Sequence, residues 1–322
     1  MRQTLQRALT VLTAVLLVAV AAIGQSPPET DPQPGFEDKV SVGYVLVPII
    51  ARSEGGYVRG LTAEDFELRV DGQPVAFESF EMGASAPISV IFLQDLSGSM
   101  ANASKLRLSR IAIDLILAGS RNADQFAIAT FANGDLSLDI PYTMDTEVLE
   151  QAMSQWQPYG VTALHDAVFG LPELTQSLQS AKRAAILITD GADNSSEIEP
   201  GEARRKVRQA ELPVYVLGLA TGDPSTLDRE GKKLHRYADV LNLLAHLTGG
   251  QYFWISDIDD VVRASTTIAD DLRHQYVLGF STSDTGEEGY RELEVVTKKK
   301  QNKIRLTFRR GYEGPPPRVV SE

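Results

Sequence analysis

Three short segments of this 322-residue chain combine carboxylates and hydroxyls at spacings that could do chemistry. The segment DLSGS places Asp95, Ser97 and Ser99 at alternate positions, directly after the apolar run ISVIFLQ. Thr162 lies in the segment GVTALH, and Asp190 follows the apolar run AAILIT and precedes a glycine. The chemistry available to such a set is that of oxygen ligands, hydroxyl groups and carboxylates.

Each of these segments also has a purely structural interpretation. Ser and Asp residues before helices act as N-caps that contribute about 1 kcal/mol each. Thr162 could cap a helix that begins at Ala163, and Asp190-Gly191 could form an ordinary turn. Taken singly, each residue is explained well enough in this way. Capping needs one oxygen per helix, however, and three alternating oxygens at one strand end exceed that need, so the set as a whole favours a ligand site.

The composition excludes several other kinds of site. The chain contains no cysteine and four histidines. Disulfides, cysteine-ligated zinc, iron–sulfur clusters and thiol catalysis are therefore excluded, and a polyhistidine metal centre is not expected. The formal net charge of −12 argues against a nucleic-acid partner, because neutralising phosphates requires clustered Lys and Arg.

The elements that must position these residues alternate between strands and helices. The predicted buried strands cover residues 88–95, 184–190, 213–219 and 251–256. The predicted helices cover about residues 104–120, 145–156, 163–180, 201–210, 237–248 and 258–273. Asn133-Gly134, between FAIATFA and LSLDIPY, predicts a hairpin. The pattern predicts an α/β fold with a mostly parallel central sheet and helices on both faces. Ligands of such sheets bind at the carboxyl ends of the strands, where DLSGS and Asp190 lie.

The first residues predict export. Arg2 and Arg7 precede an apolar run of about 16 residues, which is short for a membrane span of roughly 20. Small residues before Gln25 predict a signal peptide over residues 1–24, with an uncleaved N-terminal anchor as the alternative. Prolines in residues 25–38 predict an extended linker. Export without cysteine indicates a secreted or periplasmic bacterial protein, with no stable membrane span after cleavage of the signal.

The segments on either side of the α/β part have the residue patterns of β-strands and no helical pattern. Residues 39–85 include Asp71-Gly72 between alternating runs, which predicts a hairpin, and residues 276–312 form the C-terminal strands before a tail over 313–322. Neither segment alone offers enough strands to bury a good core. Our hypothesis is that they pair into one small β domain, with the α/β domain over 86–275 inserted between them.

Together, the motifs resemble the von Willebrand factor type A domain and its metal-ion-dependent adhesion site. The residues that carry the resemblance are VIFLQDLSGSM, GVTALHDAV, AAILITDGADN and LTGGQYF. They span roughly residues 86–275, and Leu96 departs from the commoner small or β-branched residue at its position. The flanking segments resemble those of a group of exported bacterial proteins related to this domain. They are LTAEDFELRVDGQPV before the domain and QYVLGF, YRELEVVT and RRGY after it.

The resemblance implies a Rossmann-like fold that binds one divalent ion, usually Mg²⁺, with Mn²⁺ or Ca²⁺ as alternatives. By family analogy, Ser97, Ser99 and Thr162 offer hydroxyls, and Asp95 and Asp190 act directly or through water. Oxygen ligands suit hard cations. Neutral hydroxyls do not quench the charge of the ion, so the implied final ligand is an Asp or Glu carboxylate from a partner protein.

The implied function is therefore that of a non-enzymatic adhesion or scaffolding module. A metal-dependent hydrolase that uses the same oxygen site is the alternative, although the sequence has no HExxH, GxSxG or P-loop motif. A structural envelope protein with a degenerate site is a third possibility.

The sequence leaves two alternative roles for each of several residues near the motifs. Asp193 and Asn194 could adjust the ligand loop or form a turn, and His165 could add pH sensitivity or simply pack. Trp156 and Tyr159 could form an exposed contact rim or anchor the loop to the core.

Overall fold

The structure is a computed structural model that describes residues 43–82, 86–176, 178, 180–227, 232, 235–283, 288–299 and 303–318. The described residues all belong to one compact unit, Ser41–Glu322. The predicted signal peptide (1–24) and linker (25–38) lie outside the described residues. No helix in the described ranges is long and apolar enough to cross a membrane.

The first described stretch is made of strands, as its β-branched and alternating residues predict. The strands are β1 (Tyr44–Ser53), β2 (Gly56–Tyr57), β3 (Phe66–Val70), β4 (Gln73–Val75) and β5 (Ser79–Glu81). The hairpin predicted at Asp71-Gly72 joins β3 to β4. Both turn residues have positive φ, 50° and 76°, which is the conformation that a two-residue type I′ turn requires.

The next stretch alternates strands and helices. Its elements are β6 (Ile88–Asp95), α1 (Ala103–Ala118), β7 (Gln125–Ala132), β8 (Asp135–Thr143), α2 (Thr146–Ser154), α3 (Leu164–Thr175), β9 (Lys182–Thr189), α4 (Pro200–Val207), β10 (Val214–Leu219), α5 (Arg236–Thr248), β11 (Tyr252–Ile255) and α6 (Ile258–His274). The strand order is β11-β10-β9-β6-β7-β8. Every neighbouring pair is parallel except the hairpin pair β7–β8. The predicted α/β fold is confirmed.

The central strand β6 is buried along its whole length, because helices cover both faces of the sheet. Phe92 packs in a core with residues of α1 and α6, and Leu93 packs in a second core with residues of α3, α4 and α5. Helix α3 ends at Thr175, before the predicted end at residue 180, and Pro172 lies within its last turn. The Thr175 hydroxyl donates to the Pro172 carbonyl at 3.0 Å.

The last stretch returns to strands, and these pair with the first stretch. The strands are β12 (Tyr276–Ser281), β13 (Gly289–Thr297), β14 (Arg305–Phe308) and β15 (Gly311–Gly314). One sheet has the order β14-β1-β12-β5, with β2 on β1, and another has the order β15-β13-β3-β4. Each sheet therefore mixes strands from both sides of the α/β stretch. The two sheets share one core, which includes Leu68, Phe280 and Tyr312.

A buried polar cluster joins this β sandwich to the α/β part. Asp271 of α6 accepts hydrogen bonds from Arg52 of β1, from the Tyr57 hydroxyl at 2.8 Å and from the Tyr215 hydroxyl of β10 at 3.3 Å. Burial raises the pKa of Asp271, and the Arg52 charge and these hydrogen bonds oppose that rise. The carboxylate thus connects α6 to β1, β2 and β10.

Candidate metal site

The three predicted segments meet at the carboxyl edge of the central sheet. DLSGS follows β6 and Asp190 follows β9, and these two strands are parallel neighbours. Asp95 is fully buried at the end of β6. Its Oδ2 accepts a hydrogen bond of 2.6 Å from the Thr189 hydroxyl, and Thr189 Oγ1 in turn accepts from the Gly191 N–H at 2.9 Å. Thr189 thus links Asp95 to the Asp190 turn.

Backbone contacts bring the DLSGS loop against the loop that carries Thr162. The Gly98 N–H donates to the Gly160 carbonyl at 3.0 Å, and the Tyr159 N–H donates to the Leu96 carbonyl at 2.8 Å. A Cβ on Gly98 would lie 3.0 Å from the Gly160 oxygen, which is tighter than ordinary van der Waals contact. Gly160 itself has a φ of 68°, a conformation that glycine adopts at little cost. The close approach of the two loops therefore depends on both glycines.

Thr162 is held by the loop that follows Asp190. The Thr162 N–H donates to Asn194 Oδ1 at 3.0 Å, and the Thr162 carbonyl accepts from the N–H groups of Asn194 and Ser195, both at 3.1 Å. The Thr162 side chain is buried, and in the described part of the chain its hydroxyl forms no hydrogen bond.

The N-terminus of α3 is not capped by Thr162, so the capping interpretation of that residue is wrong. The N-cap residue is Ala163, which has no capping side chain. The His165 N–H instead donates to Asp193 Oδ2 at 3.1 Å and to Ser196 Oγ at 2.9 Å. Burial opposes ionisation of Asp193, but the hydrogen bonds from Ser196 and His165 lower its pKa overall. Asp193 thus has a structural role that leaves the Thr162 hydroxyl available.

The polar groups of the DLSGS loop contact one another and become more exposed along the loop. The Ser97 N–H donates to Asp95 Oδ1 at 2.8 Å, and the hydroxyls of Ser97 and Ser99 lie 3.1 Å apart. Ser97 is buried, whereas Ser99 is exposed. Burial raises the pKa of Asp95, and the charge of Asp190 adds to that rise, while hydrogen bonds from Thr189 and Ser97 oppose it. Two carboxylates thus lie close enough to repel each other.

A lysine that the sequence reasoning missed contacts this site. Lys105 Nζ, in the first turn of α1, donates to Asp190 Oδ2 at 2.7 Å and to the Ser99 carbonyl at 3.3 Å. Thr189 was missed as well. Its position next to Asp190 at a strand end is a signal that could have identified it, whereas Lys105 has no motif to distinguish it from other surface lysines.

The remaining predicted residues divide between core and surface. Trp156 packs in the core beside Met153, so it anchors the loop before Thr162, whereas Tyr159 is 52% exposed and Val161 is 42% exposed. His165 lies with its Nε2 3.7 Å from Asp193 Oδ2. It lines a cavity of about 650 Å³ that also borders Gly191.

The donors on these adjoining loops have the chemistry that a hard divalent cation prefers. They are carboxylate and hydroxyl oxygens, which Mg²⁺, Mn²⁺ and Ca²⁺ prefer, and the repulsion between Asp95 and Asp190 would be relieved by a positive ion. Within the described ranges, no group of three or more His, Cys, Asp or Glu side chains could hold a metal. An ion at this edge would therefore rest on two carboxylates and the hydroxyls of Ser97, Ser99 and Thr162.

Sequence comparison identifies this part of the chain. Residues 90–192 match the sequence model of the von Willebrand factor type A domain, a range that includes all five predicted site residues. No curated protein matches the chain significantly.

Several solved structures are similar to the chain. BatB from Bacteroides thetaiotaomicron is 23% identical, with a TM-score of 0.45 over 57% of this chain and 97% of that protein. A von Willebrand factor type A protein from Catenulispora acidiphila is 12% identical, with a TM-score of 0.48; the match covers 86% of this chain and 74% of that protein. The pilus adhesin SpaC from Lactobacillus rhamnosus GG is 12% identical, with a TM-score of 0.47; the match covers 83% of this chain and 48% of that protein. The match of residues 90–192 to the sequence model confirms the predicted resemblance of this part of the chain to the von Willebrand factor type A domain.

Proposed function

We propose that this chain is an exported, non-enzymatic protein-binding module that holds one divalent cation, most simply Mg²⁺, and captures an acidic residue of a partner protein. The observation that carries the proposal is the convergence of three loops on one edge of the sheet. The contacts Gly98–Gly160, Thr162–Asn194 and Asp95–Thr189 bring hydroxyls and carboxylates from these loops together.

The residues of the site would divide into two groups. Asp95 already accepts hydrogen bonds at both carboxylate oxygens, from the Ser97 N–H and the Thr189 hydroxyl, so it would act through water or by orienting the loop. Ser97, Ser99, Thr162 and Asp190 would hold the ion more directly. When bound, the ion supplies an electrophilic position for an oxygen of the partner's Asp or Glu.

The surface around the site suits a protein partner. Tyr159 and Val161 are half-exposed on the loop that carries Thr162, and exposed aromatic and apolar residues beside a polar centre are typical of protein interfaces. A hydrolase would need a base to activate water. Among the described residues, no histidine contacts Asp95 or Asp190, which favours binding over hydrolysis.

The first experiment is titration calorimetry of the purified chain with Mn²⁺ and with Mg²⁺. We expect one site per chain in the wild type and no measurable binding in Asp190→Ala. Ser99→Ala should weaken binding by loss of one ligand. Ser104→Ala removes an exposed hydroxyl from the start of α1 and serves as the matched control. Equal affinities in Ser99→Ala, Ser104→Ala and wild type would show that the predicted ligands are not ligands.

The second experiment tests the partner. Immobilised chain is used to capture proteins from the native cell envelope with Mg²⁺ or with EDTA, with Ser99→Ala as the blank. We expect a partner that is retained only by wild type with the ion present, and whose capture is lost when its acidic residue is replaced. Capture that is indifferent to both EDTA and Ser99→Ala would contradict the proposal.

A further inference from the structure

A positive side chain contacts one of the predicted ligands of the candidate cation site. Lys105 Nζ lies 2.7 Å from Asp190 Oδ2, and the two side chains are only 21% and 7% exposed. Ion pairs at the surface contribute little, but this pair is largely withdrawn from water and includes a charge-assisted hydrogen bond. The same ammonium group donates to the Ser99 carbonyl at 3.3 Å, so it contacts two of the three segments that supply the predicted ligands.

The position of Lys105 in α1 is unfavourable without Asp190. The helix begins after Asn102, whose side chain accepts from the Ser104 N–H at 2.9 Å, and its first turn contains no acidic residue. The N-terminus of a helix carries partial positive charge and favours anions over cations. A lysine in this first turn is therefore stabilised by an external carboxylate, and in the described structure that carboxylate is Asp190.

Resting on the function proposed above, we infer that Lys105 is a built-in competitor of the divalent cation. Its ammonium group satisfies Asp190 while the ion is absent, and it must leave Asp190 when the ion binds. The reason is electrostatic, because an ammonium group and a divalent ion that share one carboxylate repel each other at short distance. Lys105 thereby weakens the affinity for the cation and stabilises the ion-free state.

The affinity test compares full-length wild type, Lys105→Met and Arg107→Met by Mn²⁺ calorimetry. Methionine retains most of the length of the lysine side chain and removes the charge. Arg107 is exposed on the same helix, so Arg107→Met loses the same charge without touching Asp190. We expect Lys105→Met to bind Mn²⁺ roughly tenfold more tightly than wild type, and Arg107→Met to bind as wild type does.

The second readout is thermal stability, which does not depend on a partner. In EDTA, Lys105→Met should unfold at a lower temperature than wild type, because Asp190 loses its counter-charge. Saturating Mn²⁺ should remove this difference, because the ion replaces the lost ammonium. Lys105→Gln, which is neutral but polar, is measured in the same way if the methionine variant does not fold.

The outcomes separate this inference from the proposed function. Equal Mn²⁺ affinity in all three proteins would leave the metal site in place and overturn the role of Lys105. Mn²⁺ binding by Lys105→Met but not by wild type or Arg107→Met would support the competition by Lys105 in its strongest form. Absence of binding in every protein, Lys105→Met included, would overturn both the cation site and the competition.

Discussion

Replacement of Thr189 by valine tests whether a single buried hydroxyl holds Asp95 against the Asp190 turn. Thr189 is fully buried at the end of β9. Its hydroxyl donates to Asp95 Oδ2 at 2.6 Å and accepts from the Gly191 N–H at 2.9 Å. Valine has nearly the same shape and cannot make either bond, so packing is preserved while both polar groups lose a partner.

The expected cost follows from these two contacts. A hydrogen bond to a charged group contributes about 1.5–3 kcal/mol, and a buried N–H group left without a partner costs about 1–3 kcal/mol. We therefore expect Thr189→Val to lower the free energy of unfolding by about 3 kcal/mol. Thr189→Ser keeps the hydroxyl and removes one methyl group, so it should cost about 1 kcal/mol.

The assay is urea denaturation in the presence of EDTA, which keeps divalent ions out of the measurement. The transition midpoint should fall with an unchanged m-value, which shows that stability rather than the compactness of either state has changed. If Thr189→Val and Thr189→Ser lose the same stability, the hydroxyl does not connect Asp95 to the Asp190 turn, and our account of the site is wrong.

Three further predictions concern the framework of the fold, each measured by the free energy of unfolding in urea. Asp271→Ala breaks the buried cluster between the sandwich and the α/β part and should cost about 3 kcal/mol, whereas the exposed neighbour Asp270→Ala should change stability by less than about 0.5 kcal/mol; equal effects would contradict the role of the cluster. Burial lowers the pKa of Lys182 to about 8, below its unfolded value, so the folded state releases this proton first as the pH rises. Wild type should therefore gain about 2 kcal/mol relative to Lys182→Met between pH 8 and pH 10.5, and a constant difference between them would refute the shift. Gly160 and Gly60 both have positive φ, 68° and 72°, but an added Cβ would meet a side chain 2.8 Å away only at the former. Gly60→Ala should thus cost about 1 kcal/mol and Gly160→Ala clearly more; similar losses would show that the steric contact is unimportant.

The elements of the α/β part could be predicted because local physics and burial agree there. The continuous apolar runs of β6 and β9 arise because both faces of the sheet are covered. Asn133 and Gly134 adopt positive φ, 55° and 85°, as the hairpin prediction requires. The end of α3 was harder to predict, because hydrophobic periodicity continues beyond Thr175 and no glycine or proline follows to mark the stop.

The site was predictable only where its residues follow strand ends. Asp95 and Asp190 lie where the parallel-sheet rule places them, and the family motif supplied Thr162. The supporting contacts were not predictable, because they join residues distant in sequence. Lys105 and Asp190 are 85 residues apart, and the caps of α3 come from Asp193 and Ser196 rather than from the residue before the helix.

The β sandwich also determines how the chain would carry a mechanical load. The Thr282 N–H donates to the Gly43 carbonyl at 2.8 Å, and the Arg318 N–H donates to the Ser281 carbonyl at 2.9 Å. Residues 43 and 318 are therefore fastened to the same end of β12. Tension applied through them would be borne by the hydrogen bonds at that end, and the inserted α/β domain lies outside this path. The three loops of the candidate site would then remain intact under traction until the sandwich itself opens.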